Sequence, residues 1–255
     1  MTDDPDFPIS SDQLLGGRLT LLQPKDGYRA AIDPVLLAAA VPAVAGDHVL
    51  DLGCGVGTAG LCLAARVPGV RVLGLDLQGD LVTLANRNAA ANGAGDRVTF
   101  RHGNVLDFHD SDFDHVLVNP PYLARDKASI SPNPIKAAAN VEGDARLADW
   151  VVVAIAAVRT GGGVTFIHRA DRAEELLSLM AQGLGDFTTL ALLPREDVAA
   201  KRVIVQGVKG PASTAHAQKS WVLHQADGRF TAQTEAVLRD AAALPLKDLP
   251  LTEPR

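Results

Sequence analysis

The run Phe113-Asp114-His115-Val116-Leu117-Val118 ends abruptly in an amide, two prolines and an aromatic ring, Asn119-Pro120-Pro121-Tyr122. Such a corner can do chemistry. The Asn119 side-chain oxygen and the Pro120 carbonyl are two neighbouring acceptors, and the fixed φ of consecutive prolines restricts where the carbonyl points. Two acceptors side by side suit the two hydrogens of a planar exocyclic amine. That nitrogen's lone pair is delocalised into its ring, and holding both hydrogens favours the tetrahedral nitrogen of a transition state. Tyr122 adds a flat face on which a planar substrate can stack. Taken alone, the tetrapeptide reads equally well as a proline-rich turn with a half-buried ring.

A second cluster is Asp51-Leu52-Gly53-Cys54-Gly55-Val56-Gly57. Glycines at 53, 55 and 57 let backbone approach a ligand with no Cβ in the way. Further on, a strand-like run ends at Asp76, where a carboxylate is placed to accept from a ribose diol. A third run ends in Gly103-Asn104-Val105-Leu106-Asp107, with Asp107 available to an adenine amine. The alternative is a dinucleotide-binding loop, yet Thr58 stands where that fingerprint needs its third glycine.

Residues of these types act together only if the fold brings the run ends into one place. From Asp47 onward the chain alternates strand and helix. HVLDLGC precedes a helix over Thr58 to Arg66, and VRVLGLDL precedes one over Asp80 to Ala91, closed by Asn92-Gly93. RVTFRHGNVLD and HVLVN are the third and fourth strands, Trp150 to Val158 a buried helix, GGGVTFIHR a fifth strand, and Arg172 to Gln182 a further helix. Near-continuous apolar strands alternating with helices predict an α/β fold, a doubly wound, mostly parallel sheet covered on both faces. Ligands in such sheets bind beyond the carboxyl ends of the strands, where every unusual residue above falls. The last apolar runs, KRVIVQGVKG and SWVLHQADGRF, are expected to pair as an antiparallel C-terminal hairpin. Ahead of the first strand, Leu19 to Leu22 is β-like, and Asp33-Pro34 reads as N-cap and first turn of a helix. The expected organisation is a loose arm at 1–14, one domain at 15–245 containing a lid loop at 123–147, and a tail at 246–255.

Composition excludes some classes. No apolar run approaches the roughly 20 residues of a membrane span. The acidic start MTDDPDFPISSD lacks the basic-then-apolar order of a secretion signal, so a cytoplasmic protein is expected. Cys54 and Cys62 suggest neither a disulfide framework nor a metal site. A net charge of −6 weighs against a protein that coats nucleic acid, but not against an enzyme gripping one loop through a local patch such as Arg125 with Lys127, or Lys201 with Arg202.

The glycine segment with its two later acids resembles the first motif of S-adenosylmethionine-dependent methyltransferases, and Asn-Pro-Pro-Tyr resembles the signature of those that modify adenine, guanine or glutamine amines. The resemblance implies a seven-stranded Rossmann-like fold and S-adenosylmethionine as cofactor. It makes Asp51, Gly53, Cys54, Gly55 and Gly57 contacts around the methionine part, Asp76 with Leu77 the ribose side, and Asn104 with Asp107 the adenine wall. Asn119 to Tyr122 become the catalytic corner, with no metal and no strong base. Within this group, release-factor glutamine methyltransferases carry a helical N-terminal domain and an Arg-Pro-Glu-Thr-Glu element absent here, and ribosomal guanine enzymes more often have Phe at the Tyr122 position. The chain is most similar to the bacterial family that methylates N6 of adenine-37 in a valine tRNA. Gly27 to Leu37 matches its G-x-x-x-x-x-D-x-x-L-L segment, which implies Arg29 and Asp33 near the methionine. Lys209-Gly210 and Asp227-Gly228-Arg229-Phe230-Thr231 match its later elements. A tRNA anticodon-loop adenine is the expected substrate. The sequence carries no signal for oligomeric state, and a monomer suffices for these motifs.

Overall fold

A computed structural model of the chain describes residues 7–26, 31–122, 144–210 and 215–251. Arg29 and the lid stretch 123–143, with Arg125, Lys127, Lys136 and Glu142, lie outside the described residues. The main sheet comprises β3 (His48–Leu52), β4 (Arg71–Asp76), β5 (Val98–His102), β6 (Phe113–Val118), β7 (Val158–Arg169), β8 (Gly185–Leu193), β9 (Arg202–Val208) and β10 (His216–Val222). Their order is β10-β8-β9-β7-β6-β3-β4-β5. Strands β5, β4, β3, β6 and β7 pair in parallel, and β9 runs antiparallel to both β7 and β8.

Alternation along the strands explains the two covered faces. Val49, Leu117, Ile167 and Ile204 point into a core shared with α1 (Asp33–Ala40), α2 (Thr58–Arg66), α3 (Gly79–Ala91) and α6 (Ala232–Asp240). Leu50, Val116, Phe166 and Val205 point the other way, against α4 (Leu147–Ala157) and α5 (Ala173–Met180). The doubly wound expectation therefore holds.

Three features differ from the sequence expectation. The main sheet has eight strands, not seven, because GDFTTLALL at Gly185–Leu193 is a strand that the sequence reading passed over. The antiparallel C-terminal hairpin does not form. Both edges of β9 are taken by β7 and β8, so β10 pairs with the remaining edge of β8, in parallel. The segment placed in a loose arm contains β1 (Ile9–Leu14), which pairs antiparallel with β2 (Leu19–Pro24) in a separate two-stranded sheet. The later motif elements are structural here. Lys209 donates from Nζ to the Ile155 and Val158 carbonyls at 2.7 Å each, closing the end of α4. Gly228 makes a turn with φ +87°, and Thr231 caps α6 by accepting from Thr234 N–H at 3.3 Å. Among the described residues no helix is long and apolar enough to cross a membrane.

Two asparagines fasten the β1–β2 sheet to the domain. Asn92, the C-cap of α3, accepts from Thr20 N–H (2.9 Å) and donates to Thr20 O (2.8 Å). Asn88, one turn earlier, does the same with Leu22 at 2.7 and 2.9 Å. Four helical residues and two strand residues both advance about 6 Å, so the amides act as a substitute neighbouring strand for β2. Asn88 also donates to Val56 O at 3.0 Å, which ties this hairpin to the glycine loop. Asn88→Ala leaves three backbone groups without this partner, the buried Val56 carbonyl and the part-buried N–H and carbonyl of Leu22. Urea unfolding should therefore show a loss of about 2 kcal/mol, with a smaller loss for half-exposed Asn92→Ala.

Candidate active site

The parallel register brings the carboxyl ends of β3, β4, β5 and β6 to one edge, and a cleft opens there, at the switch in strand order between β3 and β6. Its walls include Asp51 near the end of β3 with Gly53, Cys54 and Gly55 after it, Asp76 as the last residue of β4 with Leu77 after it, Asn104 after β5, and Asn119, Pro120, Pro121 and Tyr122 after β6. Eleven of the predicted residues thus meet in one place.

Each wall is held by backbone geometry. Gly53 and Cys54 donate their N–H groups to Leu75 O at 2.8 and 3.0 Å, which docks the glycine loop on the end of β4. All three loop glycines have positive φ, at +80°, +55° and +83°. A Cβ on Gly53 would meet the Trp150 ring at 2.9 Å, and one on Gly57 the Phe100 ring at 2.5 Å. A Cβ on Gly55 would meet nothing within 4 Å, so that glycine faces open space where a ligand can lie against backbone.

The acids differ in work. Asp51 is only 2 % exposed and accepts from Gly60 N–H at 2.8 Å, near the start of α2. Burial pushes its carboxyl up to about 7, against the pull of the Gly60 hydrogen bond. Asp76 accepts from Gly55 N–H (2.8 Å) and Gln78 N–H (2.9 Å), one on each oxygen, and burial raises its carboxyl too. Each oxygen keeps a second lone pair for a ligand hydroxyl. Among the described residues neither acid has a Lys or Arg partner in an ion pair. A cleft with two such acids, an open glycine backbone and the 63 % exposed Leu77 at its rim fits a ligand that is cationic at one end and flat and apolar at the other.

Three predicted residues are placed elsewhere. Gly57 is not on the cleft wall; it caps α2 in the left-handed conformation. Asp107 is exposed and off the wall, because the 3-10 turn Val105–Asp107, capped by Asn104 accepting from Leu106 N–H at 3.1 Å, turns Val105 inward instead. Asp33 neither caps its helix nor lines the cleft. Its Oδ2 lies 2.8 Å from the Tyr122 hydroxyl and 2.9 Å from Arg202 Nε, while the Arg202 guanidinium sits 4.4 Å above the Tyr122 ring. His168, fully buried, meets that ring edge-on at 5.4 Å. Burial lowers His168 to about 4, so at neutral pH it packs as an uncharged ring. Trp150, Thr58 and Val105 also line the cleft and were not anticipated. Trp150 was legible only as the start of a buried helix. Among the described residues no group of side chains could hold a metal ion.

The raised Asp51 carboxyl has a thermodynamic consequence. The folded state holds its proton more tightly than the unfolded chain, whose carboxyl titrates near 3.8. Asp51 therefore costs stability as pH rises from about 4 through 7, at roughly 1.4 kcal/mol per pH unit at most. Between pH 5 and pH 8 the ligand-free protein should lose more unfolding free energy than Asp51→Asn, by urea denaturation at each pH. Parallel curves would show that Asp51 stays ionised.

Comparison with known proteins agrees with this geometry. Residues 31–147 match the Methyltransferase small domain family. The tRNA1(Val) (adenine(37)-N6)-methyltransferase of Actinobacillus pleuropneumoniae is 29% identical over 81% of this chain and 87% of its own, and that of Aeromonas hydrophila 27% over 80% and 85%. A release factor glutamine methyltransferase of Chlorobaculum tepidum is 28% identical, over 59% of this chain and 55% of its own. In fold, a predicted O-methyltransferase from Agrobacterium tumefaciens superposes with a TM-score of 0.69 at 23% identity, covering 84% of this chain and 98% of the other. Residues 31–147 thus match the Methyltransferase small domain, the fold is like that of S-adenosylmethionine-dependent methyltransferases, and over four fifths of its length the chain is similar to tRNA1(Val) (adenine(37)-N6)-methyltransferases.

Proposed function

We propose that the protein transfers a methyl group from S-adenosylmethionine to the exocyclic N6 amine of an adenine in tRNA, in the cytoplasm. The observation that carries this reading is the Asn119–Tyr122 corner, which opens from the end of β6 into the same cleft as the glycine loop and Asp76. Similarity to tRNA adenine methyltransferases over four fifths of the chain supports the substrate class.

S-adenosylmethionine supplies a methyl on a sulfonium, which is electrophilic enough that no base stronger than a hydrogen-bond acceptor is required. The chain's residues then bind and orient. Asp76 takes the ribose diol, Leu77 and Asn104 flank the adenine, and Asp51 with the Gly53–Gly55 backbone surrounds the methionine end. The positive end of the cofactor repays the desolvation of Asp51 and Asp76. At the acceptor side, Asn119 Oδ1 and the Pro120 carbonyl take the two amine hydrogens and hold the nitrogen lone pair toward the methyl. A planar base stacks on the Tyr122 face not covered by Arg202. Positioning of this kind lowers the barrier by supplying orientation in advance.

An adenine in a single-stranded loop is already partly unstacked, which reduces the cost of presenting it to such a cleft. The Arg125 and Lys127 pair remains a proposed tRNA contact. The glutamine amine of a protein is the second reading, supported by the match to a release factor methyltransferase over a smaller share of both chains.

Incubation with labelled S-adenosylmethionine and bacterial tRNA should give 6-methyladenosine on nucleoside analysis, and label found in protein instead would transfer the assignment to glutamine. Asn119→Ala should lower the rate by about 10²–10³-fold, as loss of one hydrogen-bonding group at a reacting centre does, while calorimetry shows cofactor affinity nearly unchanged. Loss of cofactor binding would place Asn119 on the cofactor side of the cleft.

A further inference from the structure

The Tyr122 hydroxyl poses a counting problem. It lies 2.8 Å from Asp33 Oδ2 and 2.6 Å from Asn119 Oδ1, two acceptors, yet a phenol has one proton to donate. If that proton goes to Asn119, it occupies the oxygen that the substrate amine needs. If it goes to Asp33, the phenol oxygen is an acceptor only, facing the Arg202 guanidinium, and the Asn119 amide can donate to it from its NH2 while its oxygen turns to the substrate.

We infer that Asp33 and Arg202 are positioning residues that draw the Tyr122 proton away from Asn119 and so fix the orientation of the catalytic amide. Three facts favour Asp33 as the acceptor. A carboxylate forms a stronger, charge-assisted hydrogen bond than an amide oxygen does. Arg202 donates from Nε to the same Oδ2 at 2.9 Å, which fixes that oxygen in front of the phenol. Arg202 also lies over the Tyr122 ring at 4.4 Å, with His168 edge-on at 5.4 Å, so the ring has little freedom to swing its hydroxyl elsewhere. The resulting chain runs from Asn119 NH2 to the Tyr122 oxygen, and from the Tyr122 proton to Asp33. Every donor in it has an acceptor, and each link polarises the next. The chain acts by orientation and carries no proton itself; the proton that the amine loses as the N–C bond forms and the S–C bond breaks leaves to solvent. Asp33 thereby acquires a role other than the cofactor contact its sequence position implies.

The inference rests on an amine substrate as proposed above, and it is tested by a double-variant cycle in tRNA methylation. Asp33→Ala should lower kcat about tenfold with the affinity for S-adenosylmethionine and the Tm little changed, since the phenol then competes for Asn119 Oδ1. In a Tyr122→Phe background, which keeps the ring but removes the proton, adding Asp33→Ala should lower the remaining rate less than twofold. An equal loss in both backgrounds overturns the inference, as does loss of cofactor affinity in Asp33→Ala. A second readout needs no substrate. The chain has 2 tyrosines, so a Tyr28→Phe protein reports Tyr122 alone by ultraviolet titration. Asp33→Ala in that protein removes the neighbouring negative charge and leaves Arg202, so the phenol should ionise at lower pH. No change there overturns the hydrogen-bond assignment. A lowered titration in a protein that methylates no tRNA would uphold the assignment and refute the substrate reading instead.

Discussion

Strand β3 is hydrogen-bonded on both edges in parallel register, to β4 on one side and β6 on the other. A buried strand paired this way has its backbone satisfied along its length, so unpaired groups are available only beyond its end. The helices that follow β3 and β6 depart to opposite faces, α2 to one core and α4 to the other, which leaves a crevice at that end. The glycine loop, the two acids and the Asn-Pro-Pro-Tyr corner all sit around it because of this single topological fact.

The crevice is then stiffened from several directions by polar groups whose partners are far away in sequence. Leu75 O receives two N–H groups of the glycine loop, and Asp76 receives a third. Asn88 reaches from α3 to both β2 and Val56, so the small N-terminal sheet bears on the back of the same loop. On the far side, Arg202 from β9 and His168 from β7 hold the Tyr122 ring. These contacts fix the described walls of the site relative to one another, as electrostatic and positional catalysis requires.

The two acids express a different economy. Burying Asp51 and Asp76 without a basic partner among the described residues destabilises the empty protein, as their raised carboxyls show. A cationic ligand relieves that cost, so part of the affinity for it is stored in the fold as unfavourable desolvation. Among the described residues the cleft is acidic, and so the positive charge that the proposed tRNA substrate demands falls to other surfaces, the Arg125 and Lys127 segment among the candidates.

Sequence by itself determined the alternation of strand and helix, the two-faced sheet and the residues at three consecutive strand ends, because these depend on local periodicity and on glycine and proline geometry. It did not determine strand partners. GDFTTLALL begins with Gly-Asp and is only half buried along its length, so it lacked the continuous apolar run that marked the other strands. With β8 unseen, β9 and β10 looked like neighbours; pairing is a contest between edges, and only the assembled sheet shows which are free. The roles of individual acids were likewise settled by tertiary structure. Asp33-Pro34 has the local form of a helix cap, yet the carboxylate is claimed by Tyr122, 89 residues away, and Arg202, 169 residues away. Asp107 follows Asn104 closely enough to share a wall, but the 3-10 turn between them directs it outward. A side chain's type fixes which bonds it can make, and the fold decides which partner reaches it first.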